Sequence, residues 1–324
     1  MLLRNLVKLF VAAGLLWVIA GRVDFGDAFR IIASADPALI ALAMALSLAI
    51  AVFDAAYWAA SLTAIGCRIA FAPALALSLV STFFANLAPS NLGADLFRAA
   101  QMRAAGATIE QAVRIASAAR LMSYASLVAV IGAGLPVAFS LVSGEAEKLA
   151  LIAVYAGALA AFGGFLLFGP MATRIDFGVV ARAARFVANL SRDTRRLLAS
   201  ATAAGWSYLT AQHLLRVAGV AAIAAALGAE ADFLALFALI PAALLVAMIP
   251  ISFGGWGVRE ASFVSFLGLA GLAPETALAI SIVFGLTRVA LGVVGGVIFV
   301  IMRNEDYRFA FDAEAPAERA GPTP

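Results

Sequence analysis

Ten ionisable side chains stand inside otherwise apolar stretches of this sequence: Asp54, Asp95, Arg98, Arg114, Arg120, His213, Arg216, Arg259, Glu260 and Arg288. A charge at membrane depth is costly, so each of these points to function by default. Six are arginines and three are acids. The planar guanidinium fork grips phosphate through paired hydrogen bonds, so the natural ligand of the set is a phosphate or phosphodiester group. Arg98 and Arg259 each follow a Pro/Gly-rich segment at the start of a helix-like stretch. There, unpaired backbone N–H groups and the helix dipole already favour anions. The competing reading is mutual neutralisation, with Asp95 and Glu260 serving neighbouring arginines, for instance Asp95 with Arg98 across one turn. Three acids cannot pair every arginine.

Neutral polar residues accompany them: Asn86, Ser90 and Asn91 near the first segment, Ser252 near the second. Trp256 suits either the site or a lipid-facing anchor. His213 and Arg216, three residues apart, share a helix face; His213 reads as an interior hydrogen-bonding group or as a proton carrier. Asp54 is the candidate proton-coupling carboxylate. One cysteine, Cys67, excludes an internal disulfide, and with one histidine the chain offers little for a metal. Neither metal nor cofactor is expected.

The elements that must hold these groups are apolar. Of 324 residues, 64% are hydrophobic and 13% charged, against about a quarter charged in soluble domains. That excludes an ordinary soluble fold, and the net charge of +3 is too mild to argue for nucleic acid. Stretches suited to crossing a membrane fall at residues 9–21, 37–61, 110–140, 149–171, 201–227 and 274–302. Residues 9–21 follow Arg4 and Lys8 and could be read as a signal peptide, but the repeat described next needs them as a retained span. Uncharged runs at 69–94 and 233–258 lead into shorter helix-like stretches at 95–106 and 260–269. Residues 176–197 are amphipathic, with Arg182, Arg185, Arg192 and Arg196 on one arc and Val179, Phe186, Val187 and Leu190 on the other. That suits a helix lying on an anionic leaflet or a soluble connector, cytoplasmic either way.

The chain repeats itself. Pro89, Gly93 and Arg98 recur as Pro250, Gly254 and Arg259, an offset of 161 residues. Downstream, Gly106, Glu110 and Ala112 match Gly271, Glu275 and Ala277, and each copy is followed by an arginine within the next span, Arg120 or Arg288. Counting every apolar stretch as one crossing puts the arginine-rich segment outside, against the positive-inside rule. Treating each Pro/Gly motif as the tip of a re-entrant hairpin puts that segment, Arg68 and both termini inside, with the acidic loops at 145–148 and 230–232 outside. The expected fold is an all-α polytopic membrane protein of six full transmembrane spans plus two re-entrant helical hairpins in an inverted-topology repeat. Its repeats are residues 1–140 and 141–302, the second including a cytoplasmic amphipathic linker at 172–200; a polar disordered tail at 303–324 follows. Such folds place the site where broken helices meet at the midplane. Gly93 and Gly254 are expected to serve tight turns or close backbone approach.

At these tips the sequence resembles a known family. Asn86-Leu-Ala-Pro89-Ser90-Asn91-Leu-Gly93-Ala-Asp95-Leu-Phe-Arg98 and Pro250-Ile-Ser252-Phe-Gly254-Gly255-Trp256-Gly257-Val-Arg259-Glu260 look like the two signatures of the lysylphosphatidylglycerol synthase transmembrane region. The resemblance implies a lipid flippase in the bacterial cytoplasmic (inner) membrane, with Gly255 and Gly257 among its site residues. The tail of residues 303–324 is too short for a lysyl-transfer domain, so the expectation is translocation without synthesis, not an enzyme. The implied partners are membrane lipids, either an anionic phospholipid or a polyprenyl- or hopanoid-linked lipid, with room for association with a lipid-biosynthesis enzyme; no nucleic acid is expected. A membrane-embedded enzyme acting on lipid head groups and a small-anion secondary transporter remain the alternatives.

Overall fold

Helix starts are written into the chain by capping residues. Asp36, Thr108, Thr202 and Asp232 each accept a hydrogen bond from a backbone N–H of the first turn that follows, at 2.8, 3.1, 3.1 and 3.2 Å. Behind these caps run three of the long apolar helices, and the computed structural model describes residues 25–88, 92–174, 178–248, 256–302 and 304–311. In order the helices are α1 (Phe25–Ala33), α2 (Pro37–Ser61), α3 (Phe71–Leu87), α4 (Leu92–Ala104), α5 (Ile109–Leu141), α6 (Glu145–Phe168), α7 (Gly178–Ser200), α8 (Ala203–Ala226), α9 (Phe233–Ala247), α10 (Val258–Leu269) and α11 (Pro274–Ile301). Among the described residues five helical stretches, built on α2, α5, α6, α8 and α11, are long and apolar enough to cross a membrane. This is an all-α membrane protein. The segment at residues 9–21 lies outside the described residues.

The order long, short, short, long occurs twice, as α2–α5 and as α8–α11. Both short helices that end each pair stop in the same way. Gly106 and Gly271 adopt positive φ (105° and 79°), and the next residue's N–H closes back on the helix, Ala107 on Met102 and Leu272 on Leu267, at 3.1 and 3.2 Å. That is the glycine-terminated helix end in which the loop satisfies the last carbonyls. The long helices that follow also repeat a contact. A Cβ at Gly134 of α5 would sit 2.9 Å from Ala238 Cα of α9, and one at Gly295 of α11 would sit 2.6 Å from the Leu79 carbonyl carbon of α3. Each half thus lays its last helix against the other half's α3 or α9.

Two apolar clusters divide the bundle by its ends. The first joins the end of α2 (Tyr57, Trp58, Leu62), the start of α3 (Leu77), the end of α4 (Met102) and the start of α5 (Ile115). The second joins the end of α8 (Ile223), the start of α9 (Leu236), the end of α10 (Leu267) and the start of α11 (Leu278). The α3–α4 pair therefore begins and ends at one end of the bundle, and α9–α10 begins and ends at the other.

One sequence expectation needs correction. Part of the 303–324 tail is ordered: Phe309–Phe311 pairs antiparallel with Cys67–Ile69, and Tyr307, 1% exposed, enters the first cluster with its ring edge-on to Phe97 at 5.6 Å. The polar composition concealed three aromatic anchors; residues 312–324 lie outside the described residues. In α7 the buried row is Ala181, Ala184, Ala188 and Ser191, while Val187 stays exposed. Small side chains let the helix approach the turn at Gly169, where Ser191 Oγ donates to the Phe165 carbonyl at 3.2 Å. Arg182, Arg185, Arg192, Arg195 and Arg196 stay exposed.

Candidate functional site

Between the two clusters the helices enclose a cavity of about 290 Å³, lined by residues of both halves of the chain. Arg98 on α4, Arg120 on α5, Arg216 on α8, Arg259 at the start of α10 and Arg288 on α11 all line it, with Asp54 on α2, Asp95 on α4 and His213 on α8. Eight of the residues singled out in the sequence thus meet in one place, from both repeats.

The pairing crosses between helices. Arg98 Nη2 donates to Asp54 Oδ2 at 2.5 Å, and Ser78 Oγ donates to the same oxygen at 2.5 Å. The Arg98 guanidinium lies 4.9 Å from the Trp58 ring centre. Asp95 binds Arg120, not Arg98, its neighbour one turn away. Ion pairs therefore tie α4 to α2 and to α5, fixing the first short helix between two long ones.

The second arginine is held more deeply. Arg259 is 3% exposed and donates from Nη2 and Nε to Glu260 Oε1, at 2.6 and 3.1 Å. Its Nε also reaches Ser281 Oγ at 3.3 Å, and the guanidinium stacks 4.4 Å from the Trp256 ring. Gly285 makes room for it, since a Cβ there would lie 2.8 Å from Arg259 Cζ. The second Glu260 oxygen accepts the Gly257 N–H at 2.5 Å; Gly257, at φ 88°, turns the chain into α10. Trp256 thus stacks on the site arginine, and Glu260 anchors that arginine from just outside the cavity lining.

His213 uses both ring nitrogens. Nε2 lies 3.1 Å from the Ser123 carbonyl and Nδ1 3.3 Å from Arg216 Nη1. A carbonyl accepts and a guanidinium donates, so the neutral tautomer with the proton on Nε2 satisfies both contacts. Asn86 sits beside the cavity, donating to the Arg288 carbonyl at 3.1 Å, and Gly93 lies so close to α3 that a Cβ would fall 2.7 Å from the Phe84 carbonyl carbon. Close approach, not a positive φ, is what Gly93 serves. Arg114 is not in the cavity; it pairs with Asp193 of α7 at the bundle's end. Ser90, Asn91, Ser252, Gly254 and Gly255 lie outside the described residues.

Sequence reasoning missed Tyr57, Trp58, Ser78, Ser81, Gln212 and Ser281. The signal existed in part: Trp58 follows Asp54 by one helical turn, and Gln212 adjoins His213. Among the described residues no group of histidine, cysteine and acidic side chains could hold a metal.

Both signatures, with their arginines in one cavity, agree with a match over residues 5–296 to the family described as the lysylphosphatidylglycerol synthase TM region. The chain belongs to that family. No curated protein matches it significantly. Membership in the lysylphosphatidylglycerol synthase TM family, together with the apolar helices, makes this a membrane protein of lipid-related function.

Proposed function

We propose that the protein is a lipid translocase that moves a lipid with an anionic, phosphate-bearing head group between leaflets, without covalent chemistry. The observation that carries this reading is the cavity at mid-bundle in which arginines of both halves converge. The head group passes through it while the acyl chains stay in the bilayer.

The topology in this reading has six spans, the first formed by residues 9–21, and two re-entrant hairpins, α3–α4 and α9–α10, entering from opposite sides. Length supports it. At 1.5 Å per residue, the 17 residues of α3 and 15 of α9 reach about 25 and 22 Å, short of the roughly 30 Å hydrocarbon core. Each pair returning to its own end of the bundle supports it too. Charge supports the orientation: Arg68, Arg308 and the exposed arginines of α7 gather at the end where Cys67–Ile69 meets Phe309–Phe311. The opposite end carries Asp36, Glu145, Glu147, Glu230 and Glu275. By the positive-inside rule both termini are cytoplasmic, in a bacterial inner membrane.

The experiment is reconstitution of the full chain in liposomes with a fluorescent phosphatidylglycerol and a membrane-impermeant quencher. Protein-dependent exposure of inner-leaflet lipid is the expected result. Uptake of soluble phosphate with no lipid movement, or chemical change of the lipid, would replace the reading by anion transport or by an enzyme.

A further inference from the structure

The lining of the cavity is divided into two chemistries, and only one of them serves phosphate. Near the Asp54–Arg98 pair, Tyr57, Ser81 and Gln212 also line the cavity, and they are 2%, 1% and 3% exposed. Tyr57 Oη, Ser81 Oγ and Gln212 Nε2 find no hydrogen-bond partner among the described residues. Buried hydroxyl and amide groups left unpaired are costly and ask for a partner. A phosphate held by the arginines leaves these three neutral groups for whatever is attached to it.

What is attached is constrained by charge. Asp54, Asp95 and Glu260 are each already bound to an arginine, so no carboxylate in or beside the described lining waits for an ammonium group. Five arginines face these three acids, and residues 89–91 and 249–255 contain no ionisable side chain. An amino group entering the cavity meets net positive charge at low dielectric, where repulsion is strong. We infer that the protein selects a phosphodiester whose head group is compact, hydroxylated and free of amines, such as phosphoglycerol, and rejects aminoacylated or ethanolamine-bearing lipids. Compactness follows from the volume: 290 Å³ lies at the small end of ligand pockets, roughly 300–1,000 Å³.

This inference rests on the translocase reading and deepens it. Its test compares four labelled lipids in the same liposomes: phosphatidylglycerol, phosphatidic acid, phosphatidylethanolamine and lysylphosphatidylglycerol. Phosphatidylglycerol should move about tenfold faster than either amine-bearing lipid, the effect of one well-placed polar contact. In Tyr57→Phe combined with Ser81→Ala, the rate ratio of phosphatidylglycerol to phosphatidic acid should fall toward one, because only the former has hydroxyls to lose. A purely structural effect would lower both rates and leave the ratio alone. Equal rates for the lysylated lipid, or an unchanged ratio in the variant, overturns the inference while leaving translocation intact.

If no lipid moves, the translocase reading fails, and head-group preference is read separately by quenching of Trp58 fluorescence in detergent, against a Trp58→Phe blank. Glycerol 3-phosphate binding more tightly than phosphoethanolamine sustains the preference, and equal binding overturns it. Uptake of free glycerol 3-phosphate into the liposomes would assign the same chemistry to a soluble source.

Discussion

Removal of the Arg98 side chain separates a transport role from a structural one. Arg98→Ala deletes a guanidinium that holds Asp54 at 2.5 Å in a pair whose side chains are 16% and 20% exposed. Taking one partner from a buried pair costs about 3 kcal/mol, because the remaining charge is left uncompensated. Ser78 still donates to Asp54, which offsets part of that loss. Asp54→Asn added to Arg98→Ala removes the stranded charge, so the double variant should regain most of the lost thermal stability in detergent. Transport should not return. A charge-assisted hydrogen bond to the lipid phosphate is worth about 1.5–3 kcal/mol, so both variants should translocate roughly ten- to a hundredfold more slowly per folded molecule. Stability is measured by thermal unfolding and transport by the liposome quenching assay at matched protein. If the double variant recovers wild-type transport along with stability, Arg98 is only the partner of Asp54 and the phosphate-relay argument is refuted.

Gly93→Ala should lower thermal stability by about 1–3 kcal/mol, the usual cost of overpacking, since its Cβ meets the Phe84 backbone; an unchanged melting temperature would refute the close α3–α4 approach. Cysteines at Ser143 and Glu230 should react with an impermeant thiol reagent outside intact cells and one at Ala183 should not, against low background because Cys67 is fully buried; the reversed pattern refutes the orientation. Tyr307→Ala, which empties a fully buried aromatic site beside Phe97, should destabilise by about 3 kcal/mol without changing membrane insertion. Burial pushes the Asp193 carboxyl above its usual value of 3.8, with Arg114, Arg192 and Arg196 opposing. The fold therefore holds that proton more tightly than the unfolded chain, and this contribution is lost as pH rises from 3.8 through the raised value. Asp193→Asn should flatten that part of the stability–pH curve, and an unaltered slope would show that another group sets it.

Helix boundaries and the repeat were legible because apolar length, capping residues and positive-φ glycines act locally. The run at 37–61 is helical from Pro37 to Ser61, and the expected helix at 274–302 ends at Ile301. The convergence of Arg98, Arg120, Arg216, Arg259 and Arg288 was legible in part, as charges within apolar stretches; the same criterion also picked out Arg114, which pairs with Asp193 instead. Partner choice was not. By sequence spacing Asp95 reaches Arg98 across one turn, and only the tertiary arrangement of the helices sends it to Arg120 and leaves Asp54 for Arg98. The neutral lining escaped for a related reason: Ser78, Ser81 and Tyr57 are ordinary in apolar helices, and their faces gain meaning only once the cavity exists.

The two signature arginines are held asymmetrically. Arg98 and Arg259 occupy equivalent places in the repeat, yet Arg98 borrows its carboxylate from a different helix, whereas Arg259 binds the acid next to it in sequence and a serine of α11. A pair that spans two helices breaks when the helices part; a pair within one helix travels with it. In the proposed translocase, parting of α3–α4 from α2 would release Arg98, while a rigid shift of α9–α10 would leave Arg259 clamped to Glu260. In an alternating mechanism the first half releases and recaptures its arginine and the second presents a fixed one. That assignment follows from which residues supply the carboxylates, Asp54 on α2 and Glu260 on α10 itself, and not from the arginines, which the repeat made look alike.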